Sequence, residues 1–438
     1  MKKIMLLFLA VYSLAACKKD GPDAVTSNLN VDLSFANTSY REALNNSEVT
    51  VRLKNLLNGA LVESKHKLGA VQFASIASGA YDIEASISFT KDEFLNLTGE
   101  DAGGATITFN ASAKNVSITS DTQLQLQLIA GVNGDFVIKQ VYYAGSDNRD
   151  GASFRDQFFE IYNNTDRVLY ADSLYFGRLW GKQSATDASH HFQANGQLDW
   201  SKSIDMTIGA AANSDYVYAR DLFMIPGSGK DHPVQPGESI VIAQNALNHK
   251  VPFIGNNGRE VTVRDPSLTI DLSGADFETY FGDLPGETPF ASDIDNPNVP
   301  NVQVIVYQGN DWLLDALGRD SYYIFKGPTR QDVTALKKYY APLLRTPSVS
   351  AREYTQIPAA WIMDGLDAQP NVASSQIPKK LFPSIDAGYT FVTEGSYSSL
   401  SVMRKVAREE GGRKILQDTN NSTNDFVSGR ANPRGFAN

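Results

Sequence analysis

Tyr81-Asp82-Ile83-Glu84-Ala85-Ser86-Ile87 alternates apolar with polar or small residues. A period of two puts one set of side chains on each face of an extended strand, so the stretch reads as a half-buried β-strand. Outward from it, Val51-Arg52-Leu53-Lys54 and Leu124-Gln125-Leu126-Gln127-Leu128 repeat the pattern. Clusters of Gly, Asn, Asp and Ser separate such segments, and Asn58-Gly59 is one of these turns. Helical periodicity is scarce. It is clearest over residues 332–340, after Pro328-Thr329 and before Pro342, with a shorter case over residues 91–96. The pattern predicts a mainly β chain built from two β-sandwich domains with one or two short helices.

The first residues read differently. Lys2 and Lys3 precede an apolar run over residues 4–14. That run is far short of the roughly 20 residues that span a bilayer and has the length of a signal-peptide core. Leu14-Ala15-Ala16-Cys17 follows and resembles the lipobox of bacterial lipoproteins, where small residues allow cleavage before a cysteine carrying diacylglycerol. The resemblance implies a signal peptide over residues 1–16, lipidation of Cys17 and a lipidated tether over residues 17–28. Lys18-Lys19-Asp20-Gly21 loosely resembles the charged tetrapeptides that direct lipoproteins to the outer face of the outer membrane. That implies a lipid-anchored protein of the outer membrane, exposed at the cell surface.

Cys17 is the single cysteine of the chain, so no disulfide framework and no cysteine metal site is available. Without its two leader lysines the formal net charge moves from −10 to −12. A chain this acidic lacks the lysines and arginines that displace counterions from nucleic acid, and no nucleic-acid partner is expected. The mature 422 of the 438 residues suffice for two or three domains.

Residues 29–130 hold the first expected sandwich. Val49-Thr50-Val51-Arg52-Leu53, Gly69-Ala70-Val71-Gln72-Phe73 and Gly79-Ala80-Tyr81-Asp82-Ile83 follow in order. This order resembles the transthyretin-like, or carboxypeptidase-regulatory-like, sandwich, which implies a spacer or adhesion unit. Residues 135–438 hold the second. Glu160-Ile161-Tyr162-Asn163, then Gln235-Pro236-Gly237-Glu238-Ser239-Ile240-Val241-Ile242-Ala243, then Ser401-Val402-Met403-Arg404-Lys405 with the segment from Asp418 through Asn420, Ser422 and Asp425 to Phe426, appear in succession. They resemble the lamin tail domain, an immunoglobulin-like sandwich. That domain needs only about 110 residues, so two large loop insertions are expected, near residues 246–302 and 307–398. The whole chain resembles an uncharacterised family of two-part lipoproteins with no assigned activity, encoded in anaerobes whose surface lipoproteins often work beside TonB-dependent transporters.

Candidate sites are few. His190-His191, with Asp187 or Asp199, offers metal donors, but neighbours on a strand point to opposite faces. Asp276, Glu278, Asp283, Glu287, Asp293 and Asp295 form an acidic loop, read mainly as solvated and in the alternative as a calcium site. Trp180, Trp200, Trp312 and Trp361 fall in or near loops and are the candidate ligand-binding aromatics, with core packing as the competing role. Gly227-Ser228-Gly229-Lys230 has neither the frame of a nucleophile elbow nor that of a phosphate loop. No catalytic, cofactor-binding or metal residue is assigned and the ligand stays open. The expected role is a non-enzymatic component that binds a ligand or partner, accessory to a TonB-dependent outer-membrane transporter. The alternative is an exported hydrolase of polysaccharide or nucleic acid with its site in the insertions.

Overall fold

A computed structural model describes residues 25–102, 106–131 and 134–437. The expected signal peptide, Cys17 and the tether up to residue 24 lie outside the described residues. The chain is mainly β, with a few short helices.

Seven strands build the N-terminal sandwich: β1 (Thr26–Phe35), β2 (Glu48–Asn55), β3 (Leu61–Lys67), β4 (Gly69–Ala77), β5 (Gly79–Thr90), β6 (Thr106–Ile118) and β7 (Thr122–Ala130). They follow the order β3-β2-β5-β6-β7-β1-β4. The β6–β7 pairing covers only Phe109 and Asn110 opposite Ala130 and Ile129. The strands therefore divide into two layers over a core that includes Val31, Phe35, Val51, Leu53, Ile83 and Phe109. β1 begins inside the stretch expected as tether. Its Ser27 is buried, and the Asn28 N–H donates to Asp121 at 2.8 Å. The polar Thr26-Ser27-Asn28 start conceals the strand, because its continuation pairs in parallel with distant β7, Leu29 facing Thr122. The expected helix at 91–96 forms as Lys91–Thr98, with a Thr90–Glu93 capping box, buried Phe94 and a left-handed Gly99 that ends it.

The C-terminal unit packs two further sheets. One follows the order Phe277–Glu278, Ser239–Ala243, Phe158–Asn163, Phe136–Tyr142, Leu400–Arg404, Phe426–Arg430. The other follows Lys338–Tyr340, Glu353–Pro358, Tyr216–Met224, Leu174–Leu179, Ser321–Lys326, Ile362–Asp367, with Gln303–Val306 also paired to Tyr216–Met224. Between them lies a core including Phe159, Ile161, Phe176, Phe223, Trp312 and Tyr322. The outer faces are covered as well: Val333, Leu381 and Ile385 pack over the second sheet. Every residue of Phe136–Tyr142, Phe158–Asn163 and Leu174–Leu179 is consequently buried.

Two expectations change. Residues 307–398 are not a loop insertion outside the sandwich, since they supply four strands of the second sheet, among them Ser321–Lys326 and Ile362–Asp367. Residues 332–340 are not one helix. A Thr329-capped turn, Arg330–Thr334, gives way to Lys338–Tyr340, which pairs with Glu353–Pro358. Tyr339 and Tyr340 suit a strand, and the open edge beside them overrides local helical periodicity.

Candidate functional site

The alternation of Val51-Arg52-Leu53-Lys54 turns Val51 and Leu53 into the N-terminal core and leaves Arg52 and Lys54 on the outer face of β2. On the same face stand Leu61 and Glu63 of β3 and Asp82 and Glu84 of β5, cross-strand partners in register. This face looks toward the C-terminal unit across a cleft of about 640 Å³, whose far wall is Tyr389, Lys405, Gln417, Thr419, Thr423 and Asn424.

The far wall is shaped by one buried acid. Asp425 accepts the Thr419 N–H at 2.8 Å and the Thr419 hydroxyl at 2.8 Å, and it stands 3.7 Å from Arg404. Burial pushes the Asp425 carboxyl up to about 6, against the pull of the Arg404 charge. Arg404 also holds Asp364 at 2.6 Å and Asp418 at 3.0 Å, and its Nε donates to the Ile138 carbonyl at 2.7 Å. The Asp-Thr-Asn segment picked out in the sequence is thus a rigid shelf nailed to the sheet beneath it.

Several bonds tie the two walls. Asn110 Nδ2 donates to the Thr419 carbonyl at 2.7 Å, Asn421 Nδ2 to Glu84 Oε2 at 3.2 Å, and Lys54 Nζ to the Tyr389 hydroxyl at 3.1 Å. The Lys54 and Lys114 ammoniums lie 5.2 and 4.9 Å from the Tyr389 ring centre. Lys114 pairs with Glu84 at 2.5 Å and Asp82 at 3.8 Å. Burial opposes ionisation of Glu84, but the Lys114 charge and hydrogen bonds from Lys114 and Asn421 prevail, so its carboxyl sits below the ordinary value. The acids of the cleft are therefore compensated, as is Arg52, which pairs with Glu63. Lys54 and Lys405 are not. Among the described residues they bond to the Tyr389 hydroxyl and the Asn424 carbonyl, and neither meets a carboxylate within 4 Å. The cleft thus presents two ammonium groups free to meet an anion, beside hydroxyl and amide hydrogen-bonding groups and the apolar Leu61.

The expected sites lie elsewhere. Trp312 is 1% exposed, in the core 5.2 Å from Phe223 and 5.5 Å from Phe176 between ring centres. Trp200 is buried with its ring 3.6 Å from that of Tyr218, Trp180 stacks on Tyr354 at 4.8 Å, and Trp361 packs on Phe325 at 5.8 Å. Trp312 is thus a core residue, while the other three indoles pack on neighbouring rings over the second sheet, Trp180 and Trp361 half-buried and Trp180 and Trp200 beside a small pocket, because a sheet covered on both faces takes large apolar side chains from its loops. His190 Nδ1 meets Asp187 at 2.8 Å, whereas Asp199 is taken up by Ser201 and Asn213. Among the described residues no group of three His, Cys, Asp or Glu is arranged to hold a metal. The acidic loop is not uniformly solvated. Glu278 and Asp293 are buried. Burial, then the Asp311 charge, pushes the Asp293 carboxyl up to about 8, and burial raises Glu278 to about 7. Lys54, Lys405 and Tyr389 were not legible as site residues. Alternation places Lys54 outward, but only the folded chain shows which cleft cations have no carboxylate beside them.

With the cleft in place, the likeness of its walls to known proteins can be located. Residues 235–432 match the family described as protein of unknown function (DUF4876). The DUF4876 match takes in the far wall of the cleft and leaves out the N-terminal wall. A solved structure of a DUF4876 family protein from Bacteroides thetaiotaomicron VPI-5482 is similar over 92% of this chain and 94% of that one, with a TM-score of 0.52 and 23% identity. At that identity the likeness concerns the fold, and it extends well beyond the DUF4876 segment itself. No curated protein matches the chain.

Proposed function

We propose that the chain is a lipid-anchored surface protein of the bacterial outer membrane that binds a ligand or partner without transforming it, as an accessory to a TonB-dependent transporter. In this reading residues 1–16 are a removed signal peptide, Cys17 carries the lipid, and a transthyretin-like sandwich presents a lamin-tail-like one. The cleft at the seam of the two units carries the argument. Its lining contains no Ser, Cys or His that would serve as a nucleophile or its base. Its three carboxylates are paired, Asp82 and Glu84 with Lys114 and Glu63 with Arg52, and so are not poised for acid–base work. What it offers is charge, hydrogen bonding and rigid walls, the properties of a recognition site.

Affinity recovery from detergent-solubilised envelopes tests this. The tagged full chain should fractionate with envelopes and recover an outer-membrane protein after brief cross-linking, and Cys17→Ser should move it to the soluble fraction. Unchanged fractionation of that variant, or recovery of no envelope protein by the wild type, would refute the reading.

A further inference from the structure

The free edge of β3 runs into this cleft. β3 ends its sheet, and among the described residues its only backbone partner is β2. The Asn55 N–H donates to the Ala60 carbonyl at 2.8 Å and closes the β2–β3 hairpin. Antiparallel pairs alternate between hydrogen-bonded and non-bonded, so Val62 and Ser64 point their backbone groups at β2. Leu61, Glu63, Lys65 and Lys67 point theirs outward. A row of unpaired N–H and C=O groups is a template for another strand.

The side chains of that edge are selective. At its cleft end Leu61 and Val62 are 58% and 47% exposed, and Leu57 of the adjoining turn is 89% exposed. Lys65 and Lys67 stand exposed at the other end. Lysines on an edge repel cationic strands and discourage indiscriminate pairing, but they attract an acidic one. Lys54 and Lys405 extend the same charge into the cleft. A chain with formal net charge −10 does not gather anions generally, so this local group of ammoniums is what would select the partner.

We propose that an extended acidic segment of a partner protein adds as a strand to the edge of β3, its apolar side chains following exposed Val62 on one face and its carboxylates set on the other, the face of Leu61 and Lys65, against Lys54, Lys65 and Lys405. At the usual strand spacing of about 4.8 Å the added strand lies two spacings from β2, a gap that long Glu and Lys side chains close between them. This rests on the reading of the chain as a partner-binding protein and names the chemistry of the partner.

A fluorescein-labelled peptide of alternating Glu and Val, followed by anisotropy against the full soluble chain, is the test. A Lys-for-Glu version and an acidic version with a central proline serve as controls. The acidic peptide should bind, with both controls roughly tenfold weaker or worse, and raised salt should weaken it. The double variant Lys54→Gln/Lys405→Gln should lose roughly tenfold, the scale of two partly exposed charge pairs, while circular dichroism shows the chain still folded. Lys65→Pro, which removes one outward N–H without touching the β2 ladder, should weaken binding of the acidic peptide. Equal affinity for all three peptides, or none lost in the double variant, overturns the proposal. So does binding of trigalacturonate in place of the peptide, which would assign the cations to an acidic glycan, or self-association abolished by Lys65→Pro, which would assign the edge to a second copy. A chain that recovers an envelope partner yet ignores the acidic peptide keeps the broader reading and loses this one.

Discussion

The N-terminal sandwich and the C-terminal unit solve the same problem, burying β-sheet, in opposite ways. In the first, strands such as Thr26–Phe35 and Glu48–Asn55 alternate buried with more open positions. Its charges ride mostly on open faces, Arg52 and Glu63 being 30% and 48% exposed, and among the described residues only Asp82 and Glu84 are buried, against Lys114. In the second, whole strands are buried and take charges inside with them. Arg178 lies between Asp221 at 2.5 Å and Asp320 at 2.9 Å, and Lys139 meets Glu160 at 2.8 Å, all almost fully enclosed. Alternation is the mark of a sheet with a solvated face. Once loops cover both faces, charge must be neutralised by neighbours and not by water.

That contrast can be broken most severely at Arg404. It neutralises Asp364, Asp418 and Asp425 from a position 2% exposed. Arg404→Ala leaves several carboxylates, two of them deeply buried, without their guanidinium and is expected to cost about 3–5 kcal/mol. Urea unfolding followed by tryptophan fluorescence reports on the C-terminal unit, since all four tryptophans lie between Trp180 and Trp361. A loss under about 1 kcal/mol would mean that those acids are neutralised by other means. Asp293 gives a smaller effect with a sign. Its folded carboxyl, at about 8, stands above the ordinary unfolded value of about 4. The folded state therefore binds the extra proton in that window, and stability falls as pH rises through it. Asp293→Asn should match the wild type near pH 5 and exceed it increasingly toward pH 8–9 in thermal unfolding, by up to about 1.4 kcal/mol for each pH unit crossed. Parallel pH profiles would mean that burial does not raise the Asp293 carboxyl. Arg52→Ala, on the solvated face, should cost only about 0.5 kcal/mol in chemical denaturation. A loss several times larger would place the Arg52–Glu63 pair among the load-carrying buried ones and erase the contrast.

Legibility in the sequence follows the same divide. Val51-Arg52-Leu53-Lys54 and the capped helix at Lys91 report their own structure, because one face of each stays open and the pattern records it. Tyr81 to Ile87 keeps the same alternation, but its polar face, expected to be solvated, is buried with Asp82 and Glu84 paired to Lys114. Phe136–Tyr142 and Leu174–Leu179 are mostly apolar in sequence, but which sheet they join and what covers them depends on partners far along the chain. Ser321–Lys326 was hidden inside a supposed insertion for that reason. The indoles misled in the same way. An aromatic in a loop looks available until the sheet it covers is known, as Trp312 shows. Of the cleft, the outward position of Lys54 was implicit in the alternation, whereas Tyr389 and Lys405 arrive from hundreds of residues away.

The strand Leu400–Arg404 sits between Phe136–Tyr142 and Phe426–Arg430, with Met403 opposite Gln140. More than half of the chain separates those two residues. As the polypeptide emerges from the ribosome, the seven N-terminal strands are complete and able to pair while the oily backbone ribbon at Phe136 still waits for a neighbour that has not been made. The vulnerable species is thus a half-finished nascent chain, one domain closed and the next gaping, and the time it spends in that state is set by how long the remaining residues take to appear.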